Sequence, residues 1–132
     1  MNQIRAGLRP LLAAALLAIV STPLLAASPG EIQTGIASYY HDSLDGNRTA
    51  SGQIYDKTKI SAAHKRLPLG TKVRVTDTKT GRSIVVRIND RGPFVKGRII
   101  DLSRRAAQEL GIIHRGITPV KVEVLSVPGR GA

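Results

Sequence analysis

The stretch "KVRVTDTKTGRSIVVRIND" at residues 72–90 decides the fold of this chain, because it combines two alternating segments with a tight turn. A period of two residues is typical of strands that bury one face. The turn "KTGR" (79–82) contains Gly81, which tolerates the positive φ that tight hairpins require. The sequence therefore predicts an antiparallel hairpin with strands over 72–78 and 83–90. Its alternating apolar residues are Val73, Val75, Ile84, Val86 and Ile88.

Segments on both sides of this hairpin have the same strand pattern. Further short strands are predicted over 34–40, 59–64, 97–103 and 117–127. One helix is predicted between them, with Ser103 as its N-cap and Gly111 as its C-terminal stop. Six short strands, one helix and many turn residues in one small domain favour an all-β closed barrel over a parallel sheet.

Residues 1–27 have the layout of a secretory signal peptide. Arg5 and Arg9 precede an apolar run over 11–20, and small residues follow Pro23. The run is shorter than the roughly 20 residues that a membrane span needs. We therefore expect an exported domain over 28–132, periplasmic or secreted. Since no Cys follows the run, we expect neither a lipoprotein nor any membrane anchor after cleavage.

The chain is strongly basic, with 20 Lys and Arg against 9 Asp and Glu and a formal net charge of +11. Such a charge attracts polyanions. Outside the inner membrane, acidic cell-wall polymers are the natural partners. Nucleic acid is disfavoured, because three Tyr, one Phe and no Trp offer few rings for base stacking. With no Cys and no closely spaced His pair, we expect no zinc or other metal site.

Asp90 is the first candidate for chemistry, in the segment "RINDRGPF" at residues 87–94. It ends an apolar strand and is followed by a Gly92-Pro93 turn. One interpretation is a turn residue that forms an Asx-type hydrogen bond. The other is a catalytic carboxylate that a barrel rim exposes to a groove. The local pattern leaves both interpretations open.

His64 and Asp101 are further candidates, each with a structural alternative. His64 is either a hydrogen-bonded structural residue at a strand end or an acid/base partner. Asp101 lies two residues before the helix cap, where it could stabilise the helix dipole instead of binding a ligand. Aromatic side chains could line a sugar-binding groove or fill the core: Tyr39, Tyr40 and Phe94.

Four ordered segments together resemble the rare lipoprotein A (RlpA) family. They are "GIASYYH" (35–41), "RTASGQIYD" (48–56), "SAAHKRLPLGTKVRVTDTKTGRSIVVRINDRGPF" (61–94) and "GRIIDLSRRAAQELGI" (97–112). The resemblance extends over about residues 34–125, and the segment with "AAH", "LPLGT" and "RINDRGP" contributes most to it.

The resemblance implies a six-stranded double-psi β-barrel with one or two short helices. It also implies an endolytic peptidoglycan lytic transglycosylase, which cleaves MurNAc–GlcNAc strands and leaves 1,6-anhydro-MurNAc ends. Members of this family favour glycan strands stripped of stem peptides. We therefore expect a monomer that acts on peptidoglycan and needs no cofactor.

The resemblance also assigns residues. His64 and Asp90 match the two residues regarded as essential for cleavage. We hypothesise that Asp90 is the acid/base and that His64 is its hydrogen-bonding partner. The family's Glu in "TAxGE" is Gln53 here, and its Trp-Tyr pair is Tyr-Tyr. Because Gln53 removes a carboxylate, the alternative function is a non-catalytic, expansin-like peptidoglycan-binding module. The expected substrate-binding residues are Tyr39, Tyr40, Thr49, Gly52, Gln53, Asn89, Arg91 and Asp101.

Overall fold

The computed structural model describes residues 27–129, so all but the last residue of the expected signal peptide lies outside the described residues. Strands dominate the described part. They are β1 (Ile32–Tyr39), β2 (Ala62–Ala63), β3 (Lys72–Asp77), β4 (Ser83–Asp90), β5 (Arg98–Leu102) and β6 (Thr118–Ser126). Within residues 27–129, one α-helix, α1 (Arg104–Leu110), lies between β5 and β6, and a 3-10 turn covers Asp42–Leu44.

The six strands form one closed barrel in the order β1-β5-β2-β4-β3-β6. β6 pairs antiparallel with both β1 and β3, which closes the sheet. β1 pairs parallel with β5, and β2 pairs parallel with β4. Closure removes the free edges that an open sheet would expose. The predicted all-β barrel is confirmed.

The barrel interior is filled by the alternating apolar residues of the strands. The predicted hairpin contributes Val73, Val75, Val86 and Ile88, all buried, and Gly81 in its turn has a φ of 81°. Branched aliphatic side chains from β5 and β6 complete the core: Ile100, Leu102, Val120, Val122 and Val124. Because the domain has no disulfide, this apolar core is its main source of stability.

The helix α1 covers part of the barrel and begins and ends where the sequence predicts. The side chain of Ser103 accepts a hydrogen bond from the backbone N–H of Ala106, and Gly111 ends the helix with a φ of 83°. The buried stripe is formed by Ala106, Ala107 and Leu110. No helix within residues 27–129 is long and apolar enough to cross a membrane.

A β-bulge interrupts the pairing of β2 with β4 at the end of the hairpin. Ala62 pairs with Ile88, but Ala63 pairs with Asp90, so Asn89 is an extra residue on β4. A bulge changes the direction of the side chains that follow it. Here it brings Asp90 level with Ala63, which packs with Tyr40 and Tyr55 apart from the main barrel core.

Candidate active site

Four paired residues form a row across the outer face of the barrel. Ala63 on β2 pairs with Asp90 on β4 and with Asp101 on β5, and Asp101 pairs with Ser38 on β1. Paired residues on adjacent strands direct their side chains to the same face. The topology thus brings both predicted carboxylates to one face, on either side of a small alanine.

The carboxylate of Asp90 is fixed by three hydrogen-bond donors. Its Oδ1 accepts from the backbone N–H of Ala50 at 2.8 Å and of Arg91 at 2.9 Å. Its Oδ2 accepts from the hydroxyl of Tyr40. A carboxylate offers about four lone-pair sites. Both sites of Oδ1 are therefore filled, whereas Oδ2 keeps one site for a proton or a ligand.

Tyr40 is held beside Asp90 by a second aromatic ring. The rings of Tyr40 and Tyr55 stack with centroids 4.3 Å apart and planes at 25°. Burial, together with the hydrogen bond to Asp90, raises the pKa of the Tyr40 hydroxyl, so it stays protonated and donates. The hydroxyl of Tyr55 accepts from the backbone N–H of Arg104 at 3.0 Å, which ties the stack to the start of α1.

Asp101 is held by side chains rather than by the helix. Its Oδ1 accepts from the hydroxyl of Ser38 and lies 3.4 Å from Nη2 of Arg98. Arg98 also donates through Nε to the Ser38 hydroxyl oxygen at 3.0 Å. The helix start has its own cap in Ser103. Asp101 thus presents a paired, partly exposed carboxylate in the same row as Asp90.

The imidazole of His64 has other partners than the Asp90 carboxylate that we expect from the sequence. Its Nδ1 accepts from the backbone N–H groups of Arg66 and Leu67, at 3.0 and 3.1 Å. Its Nε2 lies 2.8 Å from Oε1 of Gln33 and therefore carries the proton. Burial, helped by nearby Arg91, lowers the pKa of His64 to about 4, so the ring is neutral.

His64 and Asp90 are connected through the main chain and through Arg91. The N–H of His64 donates to the carbonyl of Asp90 at 3.0 Å. Nη1 of Arg91 donates to the carbonyl oxygens of His64 and Leu67, at 3.1 and 2.7 Å. The imidazole of His64 thus orders the loop that contains Leu67, and the carbonyls of this loop hold the side chain of Arg91, the residue next to Asp90. The same contacts engage one nitrogen of the Arg91 guanidinium, which we expected to bind substrate.

The loop after β1 adds a wall beside Asp90. Both the N–H and the hydroxyl of Thr49 donate to the carbonyl of Gln53, at 2.7 and 2.8 Å, and Gly52 closes this turn with a φ of 92°. The side-chain Oε1 of Gln53 accepts from Nδ2 of Asn89 at 3.2 Å. Gln53 and Asn89 are thus brought together beside Asp90, where both line a groove of about 420 Å³.

The two tyrosines of β1 and its continuation have different environments. Tyr39 packs against the barrel core, and its hydroxyl donates to the carbonyl of Ile113 at 2.9 Å. Tyr40, the next residue, contacts Asp90. Phe94 is 79% exposed in the loop after β4. Tyr39 therefore anchors the segment after α1, and Tyr40 is the tyrosine of this pair that belongs to the site.

Several residues of the site were not predicted from the sequence. Ala50 contributes only a backbone N–H, which has no sequence signal. Ser38 lies 63 residues from Asp101, so no local pattern indicates their contact, and Arg98, three residues from Asp101, was not singled out as its partner. Tyr55 could have been singled out as an aromatic residue in a polar loop. Within residues 27–129, no three His, Asp or Glu side chains are grouped closely enough to hold a metal ion.

Comparison with known proteins gives the same fold and a family. The family model described as lytic transglycolase matches residues 32–122. The endolytic peptidoglycan transglycosylase RlpA of Pasteurella multocida is 54% identical over 102 residues, which cover 77% of this chain and 35% of that protein. The chain thus spans about a third of the length of this curated relative.

Two solved structures share the barrel. The Streptomyces papain inhibitor has a TM-score of 0.62 and 25% identity, covering 74% of this chain and 97% of that chain. The apo expansin of Clavibacter michiganensis has a TM-score of 0.57 and 24% identity, covering 75% and 52%. The latter likeness extends to the fold alone. The family match and the RlpA relative together identify this chain as a member of the lytic transglycolase family of double-psi β-barrels, to which the RlpA proteins belong.

Proposed function

We propose that this chain is an endolytic peptidoglycan lytic transglycosylase that cleaves MurNAc–GlcNAc strands. The observation that supports this most directly is the free lone-pair site on Oδ2 of Asp90, on the outer face of the barrel. The three donors fix the orientation of the carboxyl group, and its open oxygen site can exchange a proton with a bound substrate. Family membership and the name of the Pasteurella relative support the same activity.

The proposed step uses one carboxyl group twice. Asp90, protonated on Oδ2, gives its proton to the glycosidic oxygen as the bond from that oxygen to C1 of MurNAc breaks. The resulting carboxylate then takes the proton of the C6 hydroxyl of the same MurNAc, and the C6 oxygen bonds to C1. The nucleophile belongs to the substrate, so the attack is intramolecular and needs neither a water site nor a cofactor.

His64 acts in this mechanism as a positioning residue. Its neutral imidazole holds the N–H groups of Arg66 and Leu67, and this loop offers its carbonyls to Arg91. Arg91 in turn donates its backbone N–H to Oδ1 of Asp90. The imidazole thereby fixes the carboxylate through two intermediate contacts, without receiving a proton in the reaction.

The substrate would lie across the outer row and the loop beside it. Tyr40 and Asp101 are on one side of Asp90, and Gln53 and Asn89 are on the other. Thr49 and Gly52 shape the turn that presents Gln53. We further propose that residues 28–132 form a monomeric domain that is periplasmic or secreted and that prefers denuded strands, because its proposed substrate lies outside the cytoplasm.

A second candidate function is a wall-binding module without cleavage. Gln53 is the observation that favours it, because an amide stands where the resemblance implies a carboxylate. A hydrolase is a third outcome, since Asp101 is a second carboxylate on the same face. The three functions leave different products: anhydro ends, no fragments, or reducing ends.

Digestion of purified denuded sacculi tests these functions directly. We expect the chain to release fragments with 1,6-anhydro-MurNAc ends, detected by mass spectrometry. Asp90→Asn should lower their yield by at least about 10²-fold, the typical contribution of a positioned acid/base. Glu109→Gln is the matched control, because this exposed carboxylate on α1 pairs only with Arg105 among its described contacts. Unchanged yield from Asp90→Asn would exclude Asp90 from the mechanism.

A further inference from the structure

Two adjacent grooves on the outer face of β4 form one trough beside the candidate active site. Their volumes are about 420 and 290 Å³, and both are lined by Ile60 and Arg87. We call this surface the β4 trough. Polar and basic residues also line the trough: Gln53, Asn89, Lys59 and Lys72.

The β4 trough reaches Asn89, the residue that precedes Asp90. Asn89 lies in the bulge, and its side chain donates to Gln53 across the near end of the trough. Further along, Ile60 is 40% exposed and Val85 is 43% exposed. Partly exposed aliphatic surface of this kind suits the apolar face of a sugar ring. A strand bound at Asp90 can therefore extend into the trough without leaving the surface.

Positive charge exceeds negative charge in the trough, because three cations and one carboxylate line it. Lys72 on β3 pairs directly with Arg87 on β4, and like charges at opposed positions destabilise a sheet. Lys59 lines the same trough. Among the ion pairs formed by residues 27–129, none includes these three cations. The repulsion between Lys72 and Arg87 is therefore not relieved by an ion pair among the described residues.

The acidic residue that lines the trough is Asp56, which interacts with the nearby charge of Lys59. Its Oδ1 accepts from the backbone N–H and the hydroxyl of Thr58, at 2.8 and 2.6 Å. These bonds tie the carboxylate to its own loop. Asp56 offsets the charge of Lys59, so an anion in the trough is attracted mainly by Lys72 and by Arg87, whose Nη1 also donates to the carbonyl of Gly70 at 3.5 Å.

We propose that the β4 trough binds the glycan strand next to the cleaved bond and that Arg87, with Lys72 and Lys59, binds a free lactyl carboxylate of a muramoyl residue. This rests on the proposed function and names the substrate group that the trough recognises. The lactyl carboxylate is charged only when no stem peptide is joined to it by an amide bond. An Arg side chain matches a carboxylate with two parallel N–H donors.

Binding measurements test this proposal independently of cleavage. The probe is a set of soluble denuded glycan strands, and the Asp90→Asn background prevents turnover during the measurement. In that background, Arg87→Gln should weaken binding by about fivefold, and the double change Arg87→Gln with Lys72→Gln by about tenfold or more. Lys121→Gln is the matched control, since it removes one exposed positive charge from β6 outside the trough and should not change affinity.

A second arm identifies the group that is bound. The same strands, with their carboxylates converted to methylamides, should bind to the Asp90→Asn protein about as weakly as unmodified strands bind to the variant that also carries Arg87→Gln and Lys72→Gln. Equal affinity of the Asp90→Asn protein for both kinds of strand would overturn the proposal. So would equal losses for Arg87→Gln and Lys121→Gln. Cleavage by the Asp90→Asn protein would contradict the proposed function, and binding would then be compared from the initial association phase, before turnover.

Discussion

The hydroxyl of Tyr40 donates a hydrogen bond to Oδ2 of Asp90, although the two residues are 50 positions apart in the chain. Oδ2 is also the oxygen with a free lone-pair site, since the backbone N–H groups of Ala50 and Arg91 fill Oδ1. Tyr40 therefore orients the atom that would exchange protons with the substrate. Its burial and its stack on Tyr55 keep the hydroxyl in place.

Replacing Tyr40 by Phe should slow cleavage without disturbing the fold. The ring still stacks on Tyr55, but Oδ2 of Asp90 loses its donor. A hydrogen bond to a charged group contributes about 1.5–3 kcal/mol, so we expect a loss of at least about tenfold in the rate of anhydro-fragment release. The rate is measured on denuded sacculi at equal concentrations of folded protein.

Tyr39→Phe is the matched control for this prediction. It removes the same hydroxyl group from the neighbouring residue, whose partner is the carbonyl of Ile113 rather than the site. We expect a small loss of thermal stability and an unchanged rate. Equal rate losses in the two variants would mean that the Tyr40 hydroxyl has no particular role at Asp90.

The sequence pattern predicted those strands and helix ends that depend on interactions between residues close together in the chain. Strand β4 has the predicted bounds, and α1 lies between the predicted cap and stop, because alternation, turn glycines and caps act over a few residues. Long-range pairing determined the rest. β1 begins at Ile32 rather than at residue 34 because Ile32 pairs with Glu123, and the stretch predicted over 59–64 contributes only the two-residue strand β2.

The site was predicted in its carboxylates but not in their partners. Asp90 and Asp101 end or interrupt apolar segments, which a reader of the sequence can see. The bulge at Asn89 depends on the register between two distant strands, so no local signal indicates it. The partner of the His64 ring, Gln33, is 31 residues away on β1 and was not expected. The sequence therefore indicates which carboxylates are candidates for the chemistry, whereas the pairing of distant strands determines which groups they contact.

The neutral state of His64 makes a prediction for the pH dependence of activity. Burial lowers the pKa of its imidazole to about 4. A positioning His64 therefore contributes no limb near pH 6.5 to the profile of kcat/KM, whereas a titrating catalytic imidazole would. The profile is measured from pH 5 to 8 for the parent and for His64→Gln. We expect His64→Gln to lower kcat/KM by a similar factor at every pH in this range.

The same shift predicts how stability depends on pH. Between pH about 6.5 and about 4 the unfolded chain binds a proton on His64 that the folded chain does not. The free energy of unfolding therefore falls as the pH falls through this window, by about 2–3 kcal/mol from this residue. Urea unfolding of His64→Gln should lack this component, whereas the exposed-residue control His114→Gln should retain it. Parallel pH curves for parent and His64→Gln would contradict the prediction.

A buried ion pair at the far end of β3 should stabilise the barrel. Asp77 has a fully buried side chain, and its Oδ2 lies 2.5 Å from Nη2 of Arg115. Its Oδ1 accepts from the hydroxyl of Thr118 and the N–H of Lys79, both at 2.9 Å. Asp77→Ala leaves these donors without their acceptor, so we expect a loss of about 3 kcal/mol in the free energy of unfolding.

The exposed pair Arg74–Glu123 provides the comparison, because Glu123→Ala should lower the free energy of unfolding by no more than about 1 kcal/mol.

The pKa of Asp77 also determines how its contribution to stability depends on pH. Burial alone would raise the pKa of Asp77, but the bonds from Arg115, Lys79 and Thr118 lower it to about 2. Its contribution is complete above about pH 4 and is lost as the pH falls toward 2. Equal losses in the free energy of unfolding for Asp77→Ala and Glu123→Ala at pH 7 would contradict the prediction that the Asp77 pair stabilises the barrel.

Restoring a carboxylate at position 53 tests what Gln53 changes. The Oε1 of Gln53 already accepts from Asn89 and from Ser51, so a Glu side chain can keep both bonds. The reaction develops positive charge on the sugar ring. A carboxylate in the same groove, partly exposed to solvent, stabilises that charge by about 1 kcal/mol. We therefore expect Gln53→Glu to raise the rate of anhydro-fragment release by about fivefold.

The control for this prediction is Gln108→Glu, which adds the same charge to the exposed face of α1 and should leave the rate unchanged. A rate that does not rise in Gln53→Glu would mean that the amide already supplies what the groove needs at this position.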